Sequence, residues 1–87
     1  MPVVKKTVTV KNKQGLHARP AALFVQVANK YDSRITVRRE AEEVNGKSIM
    51  GILTLAAERD AQIEIEADGD DAYAALDELE RLLNSEE

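Results

Sequence analysis

The chain has 87 residues and 9.6 kDa, a length that fits one domain, and its 44% apolar residues can fill a core, which excludes intrinsic disorder. With no cysteine it has no disulfide scaffold, thiol chemistry or Cys-ligated metal, and no run nears the roughly 18 apolar residues of a membrane span. The net charge of −4 hides a split, since residues 1–39 carry nine basic side chains and one acid (net +8), whereas residues 40–87 carry three basic and fifteen acidic ones (net −12).

In chain order, residues 7–10 (Thr-Val-Thr-Val) alternate with period two and predict a strand. Pro20 suits the first turn of a helix, where its missing N–H has no partner to lose. Leu23, Phe24, Val27 and Ala28 then form its buried face, and residues 29–33 end it. Residues 34–38 alternate again, with Ile35 and Val37 inward, and hairpin spacing suggests a short strand at residues 42–44. A two-turn helix is expected from Ser48, with Ile49, Ile52, Leu53 and Ala56 inward and Met50 to the side. Residues 62–67 are the clearest strand, with Ile63, Ile65 and Ala67 on one face and carboxylates on the other. The last helix starts at Asp70 and Asp71, whose charges complement its dipole, and Ala72, Ala75, Leu76, Leu79, Leu82 and Leu83 make its apolar stripe. Residues 84–87 are expected to fray. The order β-α-β-β-α-β-α predicts a single α+β domain over residues 1–87, an antiparallel sheet with helices on one face.

The charge split fits a basic, partner-facing patch, or else folding interleaves the halves and averages it away. Nucleic acid is disfavoured, because Phe24, Tyr31 and Tyr73 are the only aromatics and the overall charge is acidic. Without a signal-type apolar region at the start, a soluble cytoplasmic protein is expected. The acidic groups Glu40/Glu42/Glu43 and Asp68/Asp70/Asp71 lack the ligand spacing of a calcium loop, so no metal is expected.

The single histidine, His17, lies in Gly15-Leu16-His17-Ala18-Arg19-Pro20, between a strand and the proline that opens a helix. A neutral imidazole there is a nucleophile over a helix N-terminus, whose unpaired N–H groups and positive dipole end favour an anion placed on the ring. Gly15 allows a tight turn and a close approach, so the backbone at Gly15 and Leu16 is a candidate anion site. Arg19 can give charge-assisted hydrogen bonds to phosphate oxygens. A lone histidine without a base, metal or nucleotide loop suits a phosphoryl carrier better than a turnover enzyme. Ser48 fits a helix N-cap, with an incomplete capping box because Gly51 stands where Glu or Gln completes one.

The segments Gly-Leu-His-Ala-Arg-Pro-Ala (15–21) and Asn-Gly-Lys-Ser-Ile-Met-Gly (45–51) resemble HPr, the histidine phosphocarrier family of the bacterial phosphoenolpyruvate-dependent sugar phosphotransferase system. The resemblance runs nearly end to end. It implies an open-faced β-sandwich, a four-stranded antiparallel sheet with three helices on one face. It further implies that enzyme I phosphorylates His17 on Nδ1, that Arg19 stabilises the phosphoryl group, and that IIA domains of sugar transporters receive it. Ser48 matches a regulatory site of an ATP-dependent kinase, the HPr kinase/phosphorylase, and added phosphate there would change a docking surface. Ala18, Pro20, Lys47, Ile49, Met50 and Leu53 are the implied docking residues. No cofactor, no catalytic turnover and no membrane insertion are implied, and a monomer is expected. The alternatives are a nitrogen-branch HPr-like regulator, or a binding module acting through Ser48. One departure stands out: residues 57–61 read Ala-Glu-Arg-Asp-Ala where relatives often have glycine, so a positive φ there would fall on Asp60. Gln14, where other polar residues are usual, is a minor second departure.

Overall fold

The computed structural model describes residues 2–85. Its elements are β1 (Val3–Thr9), α1 (Ala18–Asn29), β2 (Arg34–Arg39), β3 (Glu42–Asn45), α2 (Ile49–Leu55), β4 (Gln62–Asp68) and α3 (Ala72–Asn84). The expected β-α-β-β-α-β-α order holds, and β1 starts four residues earlier than the cleanest alternation. The four strands form one antiparallel sheet in the order β1-β4-β2-β3. Register pairs Val8 with Ile63 and Val37 with Ile65, so the branched residues of three strands share the covered face. The opposite face carries Lys5, Thr7, Glu64, Glu66, Thr36 and Arg38. This is an open-faced α+β sandwich.

The helices close the covered face, with α3 on β1 and β4, α2 on β2 and β3, and α1 packed against both helices. Phe24, Leu16, Ile35, Ile52, Ile65, Leu79 and Leu83 are fully enclosed among them. Removing each such side chain from water contributes about 1.5–3 kcal/mol.

Two helix faces differ from expectation. In α1 the buried residues are Pro20, Ala21, Phe24 and Ala28, while Leu23 and Val27 are only half-buried. The helix lies between two others rather than flat on the sheet, which turns the flank of Pro20, Ala21, Phe24 and Ala28 inward. In α2, Ile52 and Leu55 point inward, whereas Ile49, Leu53 and Ala56 are exposed. The helix ends at once in a left-handed Ala56, so only its 52/55 flank reaches the core. Of the expected frayed tail, Asn84 is still helical, Ser85 N–H donates to Leu82 O at 3.3 Å, and residues 86 and 87 lie outside the described residues. No helix among the described residues is long and apolar enough to cross a membrane.

Candidate functional site

His17 is the N-cap of α1, in extended backbone (φ −125°, ψ 163°), and its side chain makes no capping hydrogen bond. The imidazole is half-buried and is not spent on the helix it precedes. Behind it Gly15 has φ 68°, a left-handed geometry that a side chain would strain, and a Cβ there would stand 2.5 Å from Ala57 O. Leu16 is wholly buried and anchors the segment in the core.

The expected anion site on the Gly15 and Leu16 amides is not available in this arrangement. Gly15 N–H donates to Asn12 O at 3.1 Å and Leu16 N–H to Ala57 O at 2.7 Å, so both donors are committed to holding the loop. Among the described residues the unspent donors are the first-turn N–H groups of Ala18 and Arg19, which precede the first helical donor, Ala21 N–H on His17 O; Pro20 has none to give. An anion on the ring is therefore met by the start of α1.

Arg19 is exposed, and its guanidinium has no ion-pair or hydrogen-bond partner among the described residues. It borders a cleft of about 480 Å³ with Asn12, Lys13, Gln14, Leu23, Leu82 and Ser85. Ala18, between His17 and Arg19, has φ 48°. Pro20 is buried in the first turn, where it pre-sets the helix.

Ser48 caps α2, its hydroxyl accepting the Gly51 N–H at 3.1 Å. The end of α1 holds this turn, since Asn29 Nδ2 donates to Lys47 O at 3.3 Å. Lys47 reaches back to donate to Tyr31 O at 2.6 Å, so its ammonium is tethered to the α1–β2 turn. From Ser48, α2 runs back toward the histidine loop, which meets the chain again at Ala57. Along that path Met50 is 72% exposed and Ile49 and Leu53 40% each, an apolar track between the two sites. His17 and Ser48 themselves are apart, at opposite ends of a 12-residue helix roughly 18 Å long. Arg39 donates to Leu55 O at 3.2 Å and steadies the far end of α2.

Sequence reading missed two supports of the histidine loop. Buried Asn12 joins it to the end of α3, Nδ2 donating to Ser85 O at 3.1 Å. The 57–60 turn braces it from the other side, with Asp60 N–H on Val10 O at 2.7 Å. The Asn12-x-x-Gly15 spacing of a tight turn was the available signal. Among the described residues, no group of His, Asp and Glu could hold a metal ion.

Residues 4–85 match the family model described as the PTS HPr component phosphorylation site. The chain is 47% identical over 83 residues to a phosphocarrier protein HPr of Treponema pallidum, covering 95% of this chain and 94% of that one. The crystal structure of an HPr from Bacillus anthracis superposes with a TM-score of 0.91 at 46% identity, over 93% of this chain and 96% of that one. Crh of Bacillus subtilis, described as a dimer with a swapped domain, gives a TM-score of 0.74 at 41% identity over 92% of each chain. The match spans the histidine segment, the arginine beside it and the serine-capped helix, and the chain belongs to the HPr family of phosphocarrier proteins.

Proposed function

We propose that the chain carries phosphoryl groups on His17 within a sugar phosphotransferase system, taking them from phospho-enzyme I and passing them to IIA domains of sugar transporters. One observation supports this most: His17 stands at the N-cap of α1 without spending its ring on the helix, beside an arginine that has no partner among the described residues. In the first transfer a lone pair of the imidazole forms the N–P bond. The bond from phosphorus to enzyme I breaks, and its electron pair stays on enzyme I. The Ala18 and Arg19 amides and the Arg19 guanidinium hold the phosphoryl oxygens. The second transfer repeats the exchange toward the IIA acceptor. The barrier falls through positioning and electrostatics supplied by both partners.

Docking uses Ala18 and the exposed track Ile49, Met50 and Leu53, with Lys47 at its edge; Pro20, expected among the contacts, is buried in the first turn and supports the helix instead. A kinase-added phosphate on Ser48 places about −1.5 to −2 charges at the start of that track, which opposes an acidic partner without touching His17. The protein works as a cytoplasmic monomer, and the swapped dimer described for the Crh relative is the competing assembly.

Incubation with phosphoenolpyruvate and enzyme I should add one acid-labile phosphate by mass spectrometry, and phosphoenolpyruvate alone should add none. His17→Ala should keep its circular dichroism spectrum and take no phosphate. Labelling of that variant would move the acceptor elsewhere and overturn the proposal.

A further inference from the structure

The phosphotransfer reading leaves the irregular 57–61 segment without a role, yet the fold fixes it to the histidine loop. Ala57 O accepts the Leu16 N–H, and a Cβ on Gly15 would stand 2.7 Å from Glu58 Cα, so the turn and the loop are in backbone contact two residues from His17. Asp60 N–H on Val10 O closes the other side. Turn and loop thus form one braced piece, and Glu58 and Arg59 are exposed on it.

The charges nearby are distributed unevenly. Lys6, Lys30, Arg38 and Arg81 each hold a carboxylate elsewhere on the surface, while Lys5, Lys13 and Arg34 hold none among the described residues. Within the turn, Asp60 lies 3.8 Å from Lys11. Arg59 and Glu58, like Arg19 across the loop, have no side-chain hydrogen bond or ion pair among the described residues. Unpaired charges on the rim of a docking site add little to folding, but they steer association and discriminate between partners.

We infer that the 57–60 turn is a further wall of the docking surface, on which Arg59 attracts a carboxylate of an acidic phosphoryl donor while Glu58 opposes it. The inference rests on the phosphocarrier reading and names the charge pattern of its partner. Arg59 joins Arg19 in facing an acidic surface. Glu58 is a repulsive element set beside an attractive one, so the turn admits a donor whose carboxylate falls opposite Arg59 and penalises one displaced toward Glu58.

The test measures phosphoryl transfer from phospho-enzyme I to the full chain at about 50 mM and 500 mM salt. Arg59→Glu should raise KM roughly three- to tenfold at low salt with kcat little changed, and most of the difference should vanish at high salt. Arg59→Gln should give a smaller change in the same direction. Glu58→Gln should lower KM by about two- to threefold. Equal melting temperatures would tie these shifts to docking rather than folding. If the wild-type chain takes phosphate while all three variants keep its KM, the turn lies outside the docking surface and the inference falls alone. If the wild-type chain takes no phosphate, the phosphocarrier reading falls and this inference with it.

Discussion

Among the described residues, four other than glycine have positive φ: Ala18, Glu40, Ala56 and Asp60. Three of them border the histidine loop or the turn that braces it. An alanine in left-handed geometry costs about 1–2 kcal/mol, because its Cβ crowds the following carbonyl. Ala56 is the simplest case. It caps α2 at φ 52°, ψ 38°, where glycine is the usual residue, and its methyl is exposed with little packing to lose. Ala56→Gly is expected to stabilise the fold by about 1 kcal/mol, a rise of roughly 4–8 °C in melting temperature for a domain of this size. An unchanged or lower melting temperature would show that the cap is not strained. Asp60 was legible in the sequence, because a turn lacking its glycine hands the positive φ to the residue best able to take it. Ala18 and Ala56 were not, since alanine is the strongest helix former and nothing local marks it for left-handed geometry.

At the scale of elements, periodicity, with hairpin spacing for β3, located the strands and helices, but it could not show what fastens one to another. Asp71 reads as a charge complementing the α3 dipole, yet its carboxylate does not cap that helix. It accepts the Asp32 N–H at 2.8 Å, the Ser33 N–H at 3.0 Å and the Ser33 hydroxyl, clasping the α1–β2 turn to the start of α3. These partners lie 38 and 39 residues away, beyond any local pattern. The Ser33 hydroxyl first, and then the Asp32 amide, hold this carboxyl below the usual aspartate range. A carboxylate more acidic in the folded than in the unfolded chain adds stability that is complete above its unfolded value near 3.9 and is lost as pH falls through the folded value. Asp71→Asn should therefore melt below the wild type by a gap that is constant from about pH 7 to 5 and narrows below about pH 4. A gap independent of pH would mean that the clasp acts through shape rather than charge. Glu78 makes a second clasp of the same sign, held low by Lys30 at 2.7 Å and then by the Tyr31 hydroxyl.

Over the whole molecule, the split charge of the chain is largely undone by topology. Acidic β4 lies between β1 and β2 from the basic half, and Arg38 reaches Glu43, Glu64 and Glu66 across three strands. Composition along the chain could not reveal this, because it depends on strand order. The same order makes β1 an edge strand, joined to the sheet by β4 alone and continuous with the loop that ends at His17. Such a strand can pair equally well with β4 of a second copy if its loop opens. Among the described residues five backbone bonds oppose opening: Val10 N–H to Ala61 O, Asp60 N–H to Val10 O, Lys11 N–H to Leu83 O, Gly15 N–H to Asn12 O and Leu16 N–H to Ala57 O. Gly15 is the weak link to strike, because a methyl there both strains φ 68° and meets Ala57 O at 2.5 Å. The wild-type chain is expected to sediment as a monomer across about 10–200 µM, since the five bonds already close the loop within one chain. Gly15→Ala destabilises the closed loop by about 1–3 kcal/mol while leaving an opened one unstrained, so a dimer fraction rising with concentration should appear. A Gly15→Ala chain that melts lower yet stays monomeric at every concentration would show that the loop at the phosphoryl site does not control strand exchange.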